Sequence, residues 1–585
     1  MGRAGLAAIE TIIDASGAAP VIEAMLPAGV RHRQLTARTL LTGMMLALDD
    51  RRPAHLTEAR AALTALPGAD QARLGVTEDW HGRPHQLTYR QTEHTFGLIT
   101  KALSKDEPGG TPPADLAAFC DTVLEASIPA RYKDPASPDA SSSLAADWTD
   151  AETWSRPPRH GSTECADPEA HWGHRNSNLP GPKGEMFFGY YLSILNMVRD
   201  EDGPPVPELA RRMTAGGCDH DPVRALAAVL LAMAAAGIKL GDVIDDSGYA
   251  HRDAGAWAIP LRQAGAQLVQ DLHPADRGPR GTHHGAVIAN GCLYCPCTPK
   301  PLLELGPLPP GAPAEQVAGH DQQTAELARY KLGRHTADDA DGYHRASCPA
   351  TAGKIRCPLR PDSMLLSRDR PEILAPPEHP PACCTQRTIT VPPPVAAKTR
   401  QKHDYPSAAW RRSYRRRTSA ERANATIKDT ASNNIARGWI RLMGLTPLTL
   451  WIACLLAVRN QRILDSYQAR QQDDERRAAA GLPPRTRKRR RTTLAALAAA
   501  PPVTSTSSPT PPQPSRLSDQ ATAVPGCPRA PKPCTSGNPR TRQPSTVIAM
   551  TPPDKNVRPK REQGPHENVK TSRWGARGSN PEPMG

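Results

Sequence analysis

Residues 222–246 read PVRALAAVLLAMAAAGIKLGDVIDD, and this stretch decides the fold class. Its first part, Pro222 to Ala236, is rich in Ala and Leu, follows Asp221 and stops at Gly237, which predicts a helix with a capped start. Its last part, Leu240 to Asp246, is a short apolar run that ends in two acids and predicts a strand. A helix leading into a strand with acids at its tip is typical of an α/β sheet domain.

The segments before that helix predict two further strands. Met186 to Val198, MFFGYYLSILNMV, is rich in aromatic residues and lies between Pro/Gly-rich and acidic stretches. Ser141 to Asp147, SSSLAAD, predicts a shorter strand that ends in an acid. Strands, a helix and a further strand in this order indicate one sheet, with Asp147 and Asp246 at the tips of its strands.

Composition changes along the chain divide it into five regions. The helix spacing of apolar residues predicts an all-helical start, and Pro/Cys/His enrichment predicts an insertion within the α/β core. The predicted regions are a helical N-terminal region (1–106), the first part of the core (140–270), the insertion (271–400), the second part of the core (401–468) and a disordered basic tail (469–585). The second part of the core holds a basic helix, Ala408 to Lys428, and a C-terminal helix with a break at Pro447. The N-terminal helices are interpreted either as a DNA-end-binding or dimerisation region or as a packing domain.

The charge balance points to a polyanionic partner. The net charge is +14 and the pI is near 9.3, which favours nucleic acid, although a basic solvated surface has the same charge. The longest apolar run, Leu448 to Val458, is too short to span a bilayer, and the first residues lack a cationic leader. We therefore expect a cytoplasmic, nucleoid-associated protein with no membrane segment, in which the 13 cysteines are thiols or metal ligands rather than disulfides.

Three acids are candidate metal ligands: Asp147, Asp246 and Glu421, the last on the basic helix. Phosphoryl transfer on DNA uses hard cations to activate the nucleophile and stabilise the leaving oxygen, and carboxylates are the side chains that hold Mg²⁺ or Mn²⁺. Each acid alone has an ordinary structural interpretation, as a turn residue at a strand end or a loop cap.

The basic helix places one acid among bases. Tyr414, Arg417, Glu421 and Lys428 are spaced by three, four and seven residues, so they share one helix face. Such a face suits a Glu that holds a metal while its neighbours bind phosphates. A solvated Arg-rich helix with intrahelical ion pairs fits the same spacing.

This Y-(2)-R-(3)-E-(6)-K pattern resembles the motif of a large group of bacterial insertion-sequence DDE transposases. Asp147-Trp-Thr resembles the first acid of that family, Asp246-Ser-Gly-Tyr resembles its second-acid motif, and Lys183-Gly-Glu-Met-Phe-Phe-Gly-Tyr-Tyr191 resembles its second strand. The resemblance covers roughly Leu144 to Tyr467, with the acids in the order D, D, E.

The resemblance implies an RNase H-like fold and a DNA-cutting and DNA-joining enzyme. Asp147, Asp246 and Glu421 would be the catalytic triad and the ligands of Mg²⁺ or Mn²⁺. Tyr414, Arg417 and Lys428 would contact DNA near the cleavage site. The implied partners are double-stranded DNA, as element ends and as target, and further copies of the chain in a dimer or higher oligomer on DNA.

The insertion contains seven of the cysteines: Cys292, Cys295, Cys297, Cys348, Cys357, Cys383 and Cys384. Cys292-Leu-Tyr-Cys295 is half of a tetrahedral zinc knuckle, which Cys348 or Cys357 would complete. A structural Zn²⁺ would help to order a segment too rich in Pro to build its own core. The alternative is a set of free thiols.

Two other functions remain open at the level of sequence. One is a catalytically inactive DNA-binding remnant of a transposase, and the other is an RNase H-like nuclease that cleaves without strand transfer. Intact acids at all three positions favour an active enzyme, but acids alone do not distinguish cleavage from joining.

Overall fold

The computed structural model describes residues 5–27, 33–79, 81–104, 113–159, 164–175, 185–429, 434–483 and 485. The helices are α1 (Leu6–Ser16), α2 (Ala18–Met25), α3 (Ala37–Asp49), α4 (Leu56–Thr64), α5 (Gly68–Arg73), α6 (Tyr89–Leu103), α7 (Ala114–Ala126), α8 (Pro222–Ala235), α9 (Ser247–Ala250), α10 (Ala258–Gln263), α11 (Lys300–Leu303), α12 (Ala314–Tyr330), α13 (Ala382–Thr385), α14 (Ala408–Tyr414), α15 (Thr418–Ile427) and α16 (Leu445–Ala479). The strands are β1 (Leu144–Glu152), β2 (His171–His174), β3 (Met186–Met197), β4 (Ala210–Gly217), β5 (Asp242–Asp245), β6 (Gln267–Gln270), β7 (Pro279–His283), β8 (Ala286–Ala289), β9 (Cys292–Tyr294), β10 (Gly333–Arg334), β11 (His344–Ser347) and β12 (Ile389–Val391).

A mixed sheet in the order β2-β3-β1-β5-β6, with β4 also paired to β3, organises the fold. The long strand β3 is antiparallel to β1 along all nine β1 residues. On its other side β3 pairs first with β2 and then with β4. The strands β5 and β6 continue the sheet in parallel to β1. The protein is therefore a mixed α/β protein, as the sequence predicts.

Both faces of this sheet are buried, which explains why β3 is apolar at nearly every position. Alternate β3 residues point to opposite faces: Ile194 packs with the N-terminal helices and α16, while Leu195 packs with α8. The helix α8 begins at the predicted cap, where the Asp221 side chain accepts a hydrogen bond from the Val223 N–H.

The N-terminal helices share one hydrophobic core with the sheet. Ile13, Leu40 and Phe119 belong to the same buried cluster as Ile194 of β3 and Trp451 of α16. The helical start that the sequence predicts is present, with α3 and α6 as its longest helices before residue 106. The helical region also extends beyond residue 106, because α7 packs against α1 and α16.

The insertion has structure of its own. It contains β7-β8-β9 and β10-β11-β12, two antiparallel three-stranded sheets, with α11, α12 and α13 beside them. Two hydrophobic clusters within 286–395 hold these short elements together. Along the chain, this segment lies between β6 and α14.

Several predicted boundaries are wrong. Asp147 is in the middle of β1 rather than at its end, because pairing with β3 extends the strand to Glu152. The predicted basic helix is divided into α14 and α15 by a tight 3₁₀ turn, Arg415–Arg417. Pro447 does not break the last helix, because it lies within the first turn of α16, where a proline leaves no intrahelical hydrogen bond unmade.

The predicted disordered tail also starts too early, since α16 continues to Ala479. Residues 484 and 486–585 lie outside the described residues. Within the described ranges, the structure contains no helix that is both long enough and apolar enough to cross a bilayer.

Candidate active site

Asp147 and Asp246 lie side by side on one face of the sheet. The strands β1 and β5 are parallel with Ala145 opposite Ile244, so the same register brings Asp147 level with Asp246. Because side chains alternate along a strand, Asp147 shares its face with Ala145, and Asp246 shares its face with Ile244. Both apolar residues belong to the cluster that packs under α14 and α15. The two acids therefore face the basic segment.

Buried polar contacts hold α14 and α15 against that face. An Arg416 Nη2–Asp242 Oδ2 ion pair of 2.6 Å joins the 3₁₀ turn to β5, and each side chain is only 6% exposed. Trp410 Nε1 donates to the carbonyl oxygen of Gln270, 2.9 Å away. Ala420 is fully buried in the same cluster, whereas the side chain of the next residue, Glu421, is exposed.

Arg417 brings the three predicted acids together. Its Nη2 lies 3.1 Å from Asp246 Oδ2 and 3.5 Å from Asp147 Oδ1, and its Nη1 donates to the Glu421 carboxylate. The Arg417 side chain is 12% exposed, whereas that of Glu421 is 57% exposed. The two strand acids thus form the floor of the site, and Glu421 lies at its open side.

The site carries more negative than positive charge. Burial raises the pKa of Asp147 to about 6; Arg417 opposes this rise, and the carboxylates of Asp246 and Glu421 add to it. One guanidinium balances only one of the three carboxylates. Oxygen donors with unbalanced negative charge are those that Mg²⁺ and Mn²⁺ prefer, so these residue types suit such a cation. Among the described residues, the carboxylate oxygens of these three acids do not all lie within 4.8 Å of one another.

The neighbouring acid Asp245 is not part of this group. It points to the opposite face, where it is fully buried and accepts hydrogen bonds of 3.1 Å from Trp257 Nε1 and Gln270 Nε2. Burial raises the pKa of Asp245 well above its usual value, because the charged carboxylate is desolvated there, and the nearby Asp246 adds to the rise. The geometry agrees with the choice of Asp246 as the candidate ligand.

The residues after Asp246 have a packing reason for their identities. Asp246 caps α9 by accepting a 2.8 Å hydrogen bond from the Gly248 N–H. A Cβ at Gly248 would lie 2.5 Å from the Trp148 ring, which also packs on Tyr249 with ring centroids 4.6 Å apart. Asp147-Trp and Asp246-Ser-Gly-Tyr are therefore one packed unit, although they are nearly 100 residues apart in the sequence.

Asn424 is a site residue that the sequence analysis missed. Its Nδ2 donates to Asp147 Oδ2 at 3.0 Å, and its Oδ1 is buried without a hydrogen-bond partner. Asn424 follows Glu421 by three residues, so helical spacing puts both side chains on the same face of α15. This three-residue spacing from Glu421 is the sequence signal from which Asn424 could have been predicted as a site residue.

The remaining residues of the basic motif contact other groups. The Tyr414 ring stacks on Trp410 with centroids 4.9 Å apart, and burial raises the pKa of Tyr414 well above its usual range. Lys428 pairs with Asp150 on β1, as does Arg175. Arg417 and Glu421 are thus within the acid cluster, while Tyr414 packs behind it and Lys428 pairs at its side. The DNA contacts predicted for Tyr414, Arg417 and Lys428 stay predictions.

A second group of potential metal ligands lies beyond α9. Among the described residues, His251, His273 and Asp276 form the group of three whose ligand atoms lie within 4.8 Å of one another. Asp276 already accepts hydrogen bonds from His251 Nδ1 at 3.0 Å and from Lys398 Nζ at 2.8 Å. These hydrogen bonds account for the group without a metal.

No known relative was found for this chain. Comparison with family models, curated proteins and solved structures gives no match. The chemistry of the site must therefore be inferred from its own residues: three carboxylates that contact one arginine, an amide that donates to Asp147, and an adjoining helical segment rich in arginine.

Proposed function

We propose that this chain is a DDE-type transposase that cleaves DNA at the ends of an insertion sequence and joins those ends to target DNA. The observation that carries the proposal is the convergence of Asp147, Asp246 and Glu421 around Arg417. These are the three acids that the sequence motifs select independently, and they come from two strands and one helix far apart in the chain.

The sheet supports the proposal at the level of the fold. Three antiparallel strands, β1, β3 and β4, are followed through α8 by two strands parallel to β1. Asp147 lies on the central strand β1, and Asp246 follows the end of the neighbouring strand β5. Glu421 lies on α15, which packs against the same face of the sheet. This arrangement is compatible with the RNase H-like fold that the resemblance implies.

The acids would serve as ligands, and the other residues would position them. Mg²⁺ or Mn²⁺ held by Asp147, Asp246 and Glu421 would activate the attacking oxygen and stabilise the leaving oxygen. Asn424 holds the Asp147 carboxylate through its amide. Arg417 neutralises part of the charge among the acids, which lowers the repulsion felt by an approaching phosphate.

Exposed arginines next to the basic motif would provide a surface for the DNA backbone. Arg412 and Arg415 lie next to the motif on α14 and the 3₁₀ turn, and both are exposed. Guanidinium groups bind phosphate oxygens in a bidentate manner, and they would hold the strand whose phosphodiester enters the site. In the proposed reaction, water attacks that phosphodiester and releases a 3′-hydroxyl, which then attacks a target phosphodiester.

The test is metal-dependent cleavage and joining by the full chain. The substrate is a DNA fragment that carries the sequences flanking the reading frame, incubated with Mg²⁺ or Mn²⁺ and a target plasmid. We expect end cleavage and strand transfer in the wild type, and loss of both with retained DNA binding in Glu421→Gln and Asp246→Asn. Asp253→Asn is the matched control, since Asp253 is an exposed acid in the loop after α9.

Each other result points to a different function. Cleavage without joining would indicate a nuclease, and binding without cleavage in the wild type would indicate an inactive remnant. Cleavage that persists in both acid variants would mean that the reaction takes place elsewhere on the protein.

A further inference from the structure

The insertion contains the dipeptide Cys-Pro three times, at Cys295, Cys348 and Cys357. All three cysteine side chains are buried, at 4%, 6% and 6% exposure, and they belong to one hydrophobic cluster. They come from separate segments, one after β9, one after β11 and one in the loop that follows. The fold thus gathers three thiols that the sequence keeps apart.

Two of these thiols lie in matched turns. The Cys297 N–H donates to the Cys295 sulfur, and the Leu359 N–H donates to the Cys357 sulfur. The same turns close with backbone hydrogen bonds from Thr298 to the Cys295 carbonyl at 3.0 Å and from Arg360 to the Cys357 carbonyl at 2.9 Å. Backbone N–H groups directed at sulfur stabilise a thiolate, which is the form that binds metal.

A fourth thiol faces this group from α13. Cys384 is buried at 6% exposure and close enough to interact electrostatically with Cys295 and Cys357. Arg360 lies close enough to Cys384 to offset part of the charge that several thiolates would carry. Two further thiols lie near the group. The Cys383 sulfur is 3.9 Å from that of Cys384 and interacts electrostatically with Cys295 and Cys348, and Cys297 is less buried than the others.

Cys292 has a different environment from the other thiols, so we do not include it among the proposed ligands. Its sulfur lies 3.4 Å from Asp404 Oδ1, on a strand that ends before the Cys295 turn begins. Spacing alone favoured Cys292, but its sulfur contacts Asp404 and lies near Lys331, although the residue packs against the same hydrophobic cluster.

We propose that Cys295, Cys348, Cys357 and Cys384 form a tetrahedral, structural Zn²⁺ site. Four thiolates and no open position are typical of zinc that stabilises a fold rather than catalyses a reaction. Zinc here ties together the two small sheets of the insertion, whose hydrophobic clusters are small. Zn–S bonds of about 2.3 Å require sulfurs about 3.8 Å apart. No three described thiols lie within 4.8 Å of one another, so the proposed site requires the sulfurs to move closer when the metal binds.

The metal content of the full chain tests this site without reference to cleavage. We expect one Zn²⁺ per chain by elemental analysis after purification without chelators. Replacement by Co²⁺ should give thiolate-to-metal charge-transfer absorption and the intense visible bands of tetrahedral cobalt. Four thiols should become reactive toward a thiol reagent only when the metal is removed. These measurements use the wild type and do not depend on whether a variant folds.

Variants then identify the ligands. Cys348→Ser and Cys384→Ser should each weaken zinc binding at least about tenfold, the loss expected when even an outer-shell partner is removed. Cys292→Ser is the matched control in the same segment and should keep one Zn²⁺. His273→Ala should also keep it, because the His251, His273 and Asp276 group is separate.

Three results would overturn the proposal. The first is a chain without zinc, or one whose mass is reduced by the hydrogens lost in disulfide formation. The second is zinc that is lost in His273→Ala but retained in the cysteine variants. The third, zinc retained in Cys384→Ser but lost in Cys383→Ser or Cys297→Ser, would overturn the assignment of the fourth ligand.

Discussion

Replacement of Asp147 by Asn should stabilise the metal-free protein while it abolishes cleavage. Asp147 is 16% exposed and lies among other carboxylates, so its ionised form is unfavourable in the folded state. The pKa rise from 3.8 to about 6 corresponds, at about 1.4 kcal/mol per pKa unit, to about 3 kcal/mol. Asparagine keeps an oxygen for the Asn424 amide but carries no charge, so the variant should recover up to this amount.

The same reasoning fixes a pH dependence. The folded-state pKa of Asp147 lies above its unfolded value, so between the two values the folded state binds the extra proton. The destabilisation is fully present above about pH 6 and disappears below about pH 4. The stability difference between Asp147→Asn and the wild type should therefore shrink as the pH falls through this window.

Urea unfolding in the presence of a chelator, followed by circular dichroism, measures this difference. The two proteins are compared at about pH 8 and about pH 5. The comparison is valid if the unfolding free energy of both proteins depends equally steeply on the urea concentration. Asp150→Asn is the matched control on the same strand. Although burial raises it, hydrogen bonds from Arg175 and Lys428 lower the pKa of Asp150, so this variant should lose about 1–3 kcal/mol. A destabilised Asp147→Asn protein at about pH 8 would refute the electrostatic account.

Three further outcomes follow from the same geometry. Arg416→Leu should lower the unfolding free energy by about 3 kcal/mol or more, because it leaves Asp242 buried with one fewer partner. The control Arg412→Leu, at an exposed position, should change the unfolding free energy by less than about 0.5 kcal/mol. Equal effects of the two variants in a denaturation assay would contradict a stabilising buried ion pair. Asn424→Ala should slow cleavage about 10–100-fold with unchanged DNA binding, since it removes the hydrogen bond that orients Asp147. A loss of DNA affinity as large as the loss of cleavage rate, measured in a gel-shift assay, would argue against this positioning role. At subsaturating Mg²⁺, the cleavage rate should fall about tenfold per pH unit below about pH 6, because Asp147 must lose its proton to bind metal, whereas a flat profile would show that this carboxyl does not bind the metal.

Local sequence patterns were enough for the main elements of the sheet domain. The apolar run of β3, the capped helix α8 and the acid-tipped strand β5 all occur where periodicity and turn residues place them. Periodicity is a local property of the backbone, and strong patterns of this kind survive in the tertiary fold. The candidate acids were detectable for a related reason, since each lies in a short motif whose residues are neighbours in the chain.

Other features depended on contacts between distant segments. The end of β1 is set by its antiparallel partner β3, which no property of residues 141–147 reveals. The break between α14 and α15 accompanies the burial of Arg416 against Asp242, and Asn424 has a role only because Asp147 lies across from it. A contact between distant segments can be recognised only when the positions of both segments in the fold are known.

By itself, the sequence determined the mixed α/β class and the basic character of the helix that holds Glu421, and it predicted three acids as candidate metal ligands. Only the tertiary structure decided that Arg417 joins those acids, that Asp246 rather than Asp245 faces them, and which cysteines gather in the insertion. The physical reason is that the face on which a side chain lies is set by strand register and helix packing. Both result from the burial of apolar surface contributed by the whole chain.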